Sequence, residues 1–219
     1  MSLIELVREF GKDYINSLFT TWGLTVLTFT LSLFLGTALT VLRICPIKIV
    51  RLTSEVYIQI FRNIPGAALL ITLVYALPYL EIVLSYFACV VIATVLIVSS
   101  FVSENLLSGV NTIQKGQIEA ARSLGFSFLQ IIFYIIVPQA LRFSILPLTN
   151  LAVATMLTTA LASQVPLNPR DLTGLVDYIN THATGGITAF VISAALYCAT
   201  AAIIGQVGNL LDKKLRIKR

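Results

Sequence analysis

Five stretches of this chain, residues 18–42, 64–80, 82–103, 143–169 and 183–211, contain no charged side chain at all. A hydrocarbon core about 30 Å thick needs roughly 20 apolar residues per helix, and it holds no water to satisfy an exposed backbone. The only economical fold for such a pattern is a bundle of membrane-spanning helices. About five spans are therefore predicted, the second short and the fourth long enough to bend or re-enter. Composition agrees: 57% of the residues are hydrophobic, 11% are charged and the mean hydropathy is +0.91, whereas soluble domains carry roughly a quarter charged residues. One all-α membrane unit over 1–219 is predicted, with no second domain and no internal repeat.

The charges that remain orient the chain. Arg43, Lys48, Arg51 and Arg62 fall between the first two spans, Lys115 and Arg122 between the third and fourth, and "DKKLRIKR" follows the fifth. The segments at the other ends of the spans mix signs: Arg8 and Lys12 stand against Glu5, Glu9 and Asp13, and Arg170 against Asp171 and Asp177. Basic residues favour the cytoplasmic side, so the N-terminus is expected outside and the C-terminus in the cytoplasm. Residues 3–15, with Leu3, Leu6, Val7 and Phe10 on one face, are expected as a short amphipathic helix on the outer membrane surface. No cleavable signal is expected there, because the first apolar run lacks a short core closed by a small-residue site. The region 164–186, with Pro166, Pro169 and paired glycines, is expected as an outward loop.

The basic residues sit at span ends and form no surface with interleaved aromatics, so a nucleic-acid partner is not expected. Cys45, Cys89 and Cys198 lack metal-ligand spacing and are expected to pack as small apolar groups. The only histidine, His182, is expected to be solvated in the outer loop. No nucleophile, base and orienting group can be assembled, and no GxxxxGK[ST] phosphate loop is present, "QKGQ" at 114–117 having the wrong spacing. The chain is not expected to be an enzyme. No Asp or Glu lies mid-span, which weighs against a secondary transporter or channel driven by ion coupling. That reading and a purely structural membrane subunit remain the alternatives.

The polar stretch "GQIEAARSLGFSFLQIIFYIIVPQALR", residues 116–142, follows three spans and so faces the cytoplasm. Residues 118–129 read as a short helix with Gly125 placed as its C-terminal cap. Ala120, Ala121 and Gly125 lack bulk, and Glu119 and Arg122 are close enough to pair. The residues leave two uses open, a docking element for another protein or a connector between spans. Pro138 and Pro147 then fall within an apolar run and would free carbonyls or permit bending. Glu104, at the cytoplasmic end of the third span, is expected to be solvated or to pair with Arg122 or Arg142.

"EAARSLG", "PQALR" and "LPLTN", together with "GTALTVLR", "FRNIPG" and "FVSENLLSGVNTIQKGQ" in the same order, resemble blocks of ATP-binding-cassette importer permeases serving polar amino acids. The resemblance covers about residues 20–165. It implies a type I importer fold with a cytoplasmic coupling helix over 116–128, in which Glu119, Ala120, Ala121, Arg122, Ser123, Leu124 and Gly125 meet the ATPase. It also implies two ATPase subunits that bind ATP and Mg, a second permease subunit, an extracytoplasmic binding protein and the bacterial cytoplasmic membrane. The expected cargo is a polar amino acid such as glutamate, glutamine or cystine. Asn63 and Pro65 would serve the pathway or break a helix. Along the fourth span Asn150, Thr158, Thr159, Ser163 and Gln164 are pathway candidates, against bonding to their own helix. Two positions depart from the family pattern: Leu107 and Leu157 stand where the group usually carries charge. Buried charge in a membrane is costly and kept where it has a task, so this subunit is expected to be the less substrate-engaging half of a heterodimer.

Overall fold

The computed structural model describes residues 3–215; the last four residues of the basic tail lie outside the described residues. Every regular element among them is helical. Helix α1 is Leu3–Ile44, α2 is Lys48–Asn63, α3 is Gly66–Ile71, α4 is Tyr86–Val110 and α5 is Lys115–Ser123. Then come α6 (Phe128–Ile131), α7 (Val137–Phe143), α8 (Ile145–Thr158), α9 (Leu172–His182) and α10 (Gly186–Leu215). Four segments, α1, α4, Ile145–Gln164 and α10, are long and apolar enough to cross a membrane, and α2 with Gly66–Leu80 makes a broken fifth. The chain organises into two units: one takes the chain to Thr30, Ile64–Leu96 and Ala152–Ile204, and the other takes Leu31–Asn63, Ile97–Leu151 and the chain from Gly205.

In the first unit, the expected interfacial helix is not a separate element. Residues 3–15 are the opening turns of α1, whose 42 residues run about 63 Å at 1.5 Å per residue, well beyond a bilayer core. The reason is a face that never breaks phase. Leu6, Phe10 and Tyr14 are buried against Leu172, Leu175 and Ile179 of α9 and Ala189 of α10, while the charged residues between them stay exposed. Leu3 and Val7, expected on that face, are more than half exposed. The Tyr14 hydroxyl donates to the Ala189 carbonyl at 3.1 Å. Further along, the buried stripe becomes hydroxylic: Thr21 and Thr25 donate to the Ser17 and Thr21 carbonyls at 2.9 and 2.7 Å. Such back-bonding satisfies the hydroxyl within its own helix and keeps the helix surface small.

The segment expected as an outward loop also departs from expectation, since 164–186 contains a helix. Asp171, fully buried, caps α9: its Oδ1 accepts from Gly174 N and its Oδ2 from Thr173 N, both at 3.1 Å. The Tyr197 hydroxyl of α10 lies 3.5 Å from Oδ2, and the Thr21 hydroxyl accepts from Leu172 N at 3.1 Å. One carboxylate thus binds the start of α9 to α10 and, through the adjacent amide, to α1. Burial pushes the Asp171 carboxyl up, opposed by the amide bonds it accepts.

The second span is no single α-helix. Asn63 ends α2, Pro65 stands extended as the cap of α3, and the chain continues as a π turn, Thr72–Ala76, and a 3₁₀ turn, Leu77–Leu80. Proline lacks the donor a continuous helix would need there. The fourth apolar run is likewise segmented: α8 tightens to 3₁₀ over Thr159–Gln164.

In the second unit, α1 and α4 touch at Gly36. A Cβ on that residue would lie 2.5 Å from Val102 Cβ and 2.7 Å from the Ser99 carbonyl, so only glycine admits this approach. One turn on, the Thr40 hydroxyl meets Ser103 Oγ at 3.2 Å. Of the two prolines expected to free carbonyls or permit bending, Pro138 lies within the helical run Phe128–Phe143 at a change of winding, and Pro147 lies near a helix start. Pro138 opens α7 directly after a π turn, Ile132–Ile136, in which the Val137 amide reaches back to Ile132. Pro147 lies in the first turn of α8, after the break at Ser144. In a first turn the missing amide proton has no intrahelical partner to lose. Of the cysteines, Cys89 is buried as expected of a packing residue, Cys45 is half-buried and Cys198 is exposed.

Candidate functional site

The segment 113–137 forms a small hydrophobic centre of its own. Ala121 on α5 packs with Ile113, Ile131, Ile132 and Ile136, all nearly or fully buried. Ala121 was expected, with Ala120 and Gly125, to admit a partner's surface; it turns inward, and only Ala120 and Gly125 face out. The reason is helical phase, since Ala121 follows Ile118 by three residues and shares its inward face.

The end of α5 is sharply made. The Phe126 amide donates to the Ala121 carbonyl at 3.1 Å and the Gly125 amide to the Arg122 carbonyl at 2.9 Å. This is the double closure that a left-handed residue permits. Gly125 is that residue, with φ of 83°, as its position in the sequence suggests. The helix itself stops at Ser123, short of the expected 128. A second helix restarts at once under a capping box, with Ser127 N donating to Gln130 Oε1 at 2.8 Å and Gln130 N to Ser127 Oγ at 3.4 Å. The Gln139 side chain on α7 donates to Gln117 Oε1 on α5 at 2.8 Å, tying the short helix to the segment that follows.

What this element shows to the outside is apolar at one end and open at the other. Leu124 is 78% exposed and Leu129 59%, with Phe126 beside them at 40%. A Cβ on Gly125 would meet nothing within 4 Å. Glu119 and Arg122 are exposed, and no ion pair joins them among the described residues. The arrangement is a rigid knob with an uncovered greasy rim, suited to a complementary groove.

Glu104 is only partly exposed and pairs with neither Arg122 nor Arg142. Its Oε1 lies 2.9 Å from Arg43 Nη1 and 3.3 Å from Arg62 Nη1, and Arg62 stacks 5.5 Å from the Phe101 ring centroid. One carboxylate therefore gathers the ends of α1, α2 and α4. Their partial burial makes paired charge the favoured arrangement.

The pathway candidates divide. Thr158, Thr159 and Ser163 donate to their own helix, at Ala154, Met156 and Ala160 carbonyls, 2.9, 2.6 and 2.8 Å away. Asn150 and Gln164 are exposed. Asn63 donates to the Gln59 carbonyl at 2.6 Å and ends its helix beside Pro65. Leu157 is 55% exposed on α8, while Leu107 is half-buried. His182 is exposed as expected but not unstructured: its ring stacks on Tyr178, centroids 4.3 Å apart.

A family model described as binding-protein-dependent transport system inner membrane component matches residues 45–217. The chain is similar to the glutamate transport system permease protein GluC of Corynebacterium efficiens, 33% identical over 98% of this chain and 99% of that one. It is also similar to the probable glutamine ABC transporter permease protein GlnP of Bacillus subtilis, 32% identical over 77% of this chain and 78% of the relative. Among solved structures, one titled as an amino acid ABC transporter with histidines superposes with a TM-score of 0.87 at 25% identity. It covers 98% of this chain and 99% of its own.

Proposed function

The chain belongs to the inner membrane components of binding-protein-dependent transport systems, and from that premise we propose that it passes a polar amino acid across the bacterial cytoplasmic membrane, driven by ATP hydrolysed on separate subunits. It is a multi-pass membrane protein with the type I importer permease fold. The observation that carries the coupling reading is the knob formed by α5, Gly125 and the exposed Leu124, Phe126 and Leu129. In this reading the knob seats in a groove of an ATPase subunit, which binds the ATP and Mg. Gln117 and Gln139 link α5 to α7, so a displacement of the knob reaches the apolar segments directly. The excess of Lys and Arg at the connections holding Arg43, Arg62 and Lys115 supports a cytoplasmic location for that end.

Transport then follows alternating access. ATP binding draws two ATPase subunits together, the knob moves with its groove, and the path opens outward to receive cargo from an extracytoplasmic binding protein; hydrolysis resets it. Glutamate or glutamine is the cargo that the named relatives support. Leu107 and Leu157 favour a second, different permease subunit that carries the charged groups holding the cargo, because an ammonium or carboxylate leaving water needs charge or several hydrogen bonds.

The test is co-purification followed by reconstitution. An ATPase recovered with this chain, whose hydrolysis rises with binding protein and amino acid, is the expected result. Uptake that persists without ATP overturns the reading in favour of a secondary transporter. Full uptake by this chain with only its ATPase and binding protein overturns the heterodimer.

A further inference from the structure

Beside α9, within the first unit, lies an open cavity of about 320 Å³, at the small end of the roughly 300–1,000 Å³ range of small-molecule sites. One wall comes from the end of the fourth span, with Ser163 and Gln164; the other carries Arg170, Asp177, Tyr178 and His182. Both signs of charge face the same space, and neither is spent. The Arg170 guanidinium lies 4.0 Å from the Tyr178 ring centroid, a stack that holds the cation in place and leaves its N–H edge available. Among the described residues neither Arg170 nor Asp177 has an ion-pair partner. The remaining acid, Asp171, is committed to capping α9 and to Tyr197. His182 closes the cluster, its ring on Tyr178 and its Nδ1 held 2.7 Å from Thr181 Oγ1 and 3.0 Å from the Tyr178 carbonyl.

We propose that this cavity is an acceptor site for a free zwitterionic amino acid, with Arg170 taking the α-carboxylate and Asp177 the ammonium. The donor set selects the ligand class. A single-sign ligand would leave one charge of the wall facing its like or facing nothing, whereas a zwitterion satisfies both. The lining also includes Val165, Pro166 and Leu167, which offer the aliphatic part of such a ligand an apolar contact. Ser163 and Gln164, on its other side, connect the site to the end of the helix already named as a pathway candidate. The inference rests on the amino-acid permease reading and adds a station to it outside the spanning segments.

The chain's single histidine supplies the reporter. The full chain, carrying a histidine-free affinity tag and placed in nanodiscs, is labelled at the His182 ring and titrated with L-glutamine and L-glutamate. A saturable shift with a millimolar midpoint is expected, and N-acetyl-L-glutamine amide, which lacks both charges, should give none. Arg170→Gln should move the midpoint by about tenfold or more, the loss expected for a charged hydrogen bond. Asp177→Asn should do likewise, while Arg170→Lys should retain part of the affinity, and an unchanged circular dichroism spectrum and melting temperature certify each variant's fold. The proposal is overturned by absence of a saturable shift up to about 50 mM, by an equal response to the blocked amide, or by indifference to Arg170→Gln. It is also overturned if His182 responds only to the binding protein, since a protein loop then fills the cavity. ATP-driven uptake by the assembled transporter, measured in parallel, separates the two readings: intact uptake with a silent His182 removes this site alone, and absent uptake of any amino acid removes the permease reading.

Discussion

Replacing Gly125 tests two things that the structure separates, the closure of α5 and the surface it presents. At φ of 83° an L-residue with a Cβ pays roughly 1–2 kcal/mol of backbone strain. Nothing in the chain lies within 4 Å of the added atom, so no steric cost from this subunit adds to it. Gly125→Ala should therefore weaken the double closure by about 1–2 kcal/mol, a factor of roughly 5–30 in the local opening equilibrium. Gly125→Asn should lose less, because asparagine tolerates the left-handed region. Hydrogen exchange on the amides of 115–126 in nanodiscs reads this directly, as a graded loss of protection with alanine below asparagine below wild type. Gly125→Leu carries a backbone cost close to that of alanine but pushes bulk out of the open end of the knob. It should uncouple ATP hydrolysis from uptake, or abolish assembly with the ATPase, well beyond the alanine variant while inserting normally in the membrane. Equal protection in the alanine and asparagine variants would refute the φ argument. Normal uptake by the leucine variant would refute docking at this surface.

Three further outcomes are expected. Gly36→Ala forces a methyl against Val102 and the Ser99 carbonyl and should cost about 1–3 kcal/mol as overpacking, read as a lowered melting temperature that Val102→Ala in the same chain partly restores. Glu104→Gln strands Arg43 and Arg62 without their common anion; with side chains 12%, 35% and 31% exposed for Arg43, Arg62 and Glu104, about 1–2 kcal/mol is expected, between a surface pair and a buried one. A melting temperature equal to wild type would show the cluster to be energetically idle. Asp171 yields a pH effect of definite sign. Its folded pKa is raised above the ordinary 3.8, so the folded state holds the proton longer than the unfolded state. The stability so contributed is complete below 3.8 and is lost as pH rises through the raised value. Asp171→Asn should abolish that slope in thermal unfolding measured across the acidic range, while its amide oxygen still caps α9.

The spans were legible because charge-free length is a signal that little else can produce, and the end of α5 was legible because one glycine marks it. What escaped the sequence depended on partners far along the chain. Leu6 and Phe10 read, with Leu3 and Val7, as a surface-lying stripe until α9 covers the first two together with Tyr14, and α9 itself was hidden between two prolines and a glycine pair. A signal for it existed: Asp171 ahead of Leu172, Leu175 and Ile179 is a capping acid followed by helical spacing. Glu104 reads from the sequence as solvated or paired with Arg122 or Arg142, whereas packing of α1, α2 and α4 delivers Arg43 and Arg62. Ala121 shows the finer error, for small size on a short helix suits an inward contact as well as an outward one. The threonines of α8 answer mostly to their own carbonyls, which composition cannot reveal.

The π turn at Ile132–Ile136 has a consequence best stated as phase. Each residue of an α-helix advances the chain by about 100° around its axis, and the wider turn inserts one residue's worth of rotation between α6 and α7. The face on which Ile131 and Ile132 meet Ala121, and the face on which Gln139 meets Gln117, stay in step only at that count. Substitutions within the interval change its texture, but a one-residue deletion turns everything beyond Pro138 by about a quarter of a revolution. Chain length across 132–136 is thus the dial that sets which side of α7 the knob can grip.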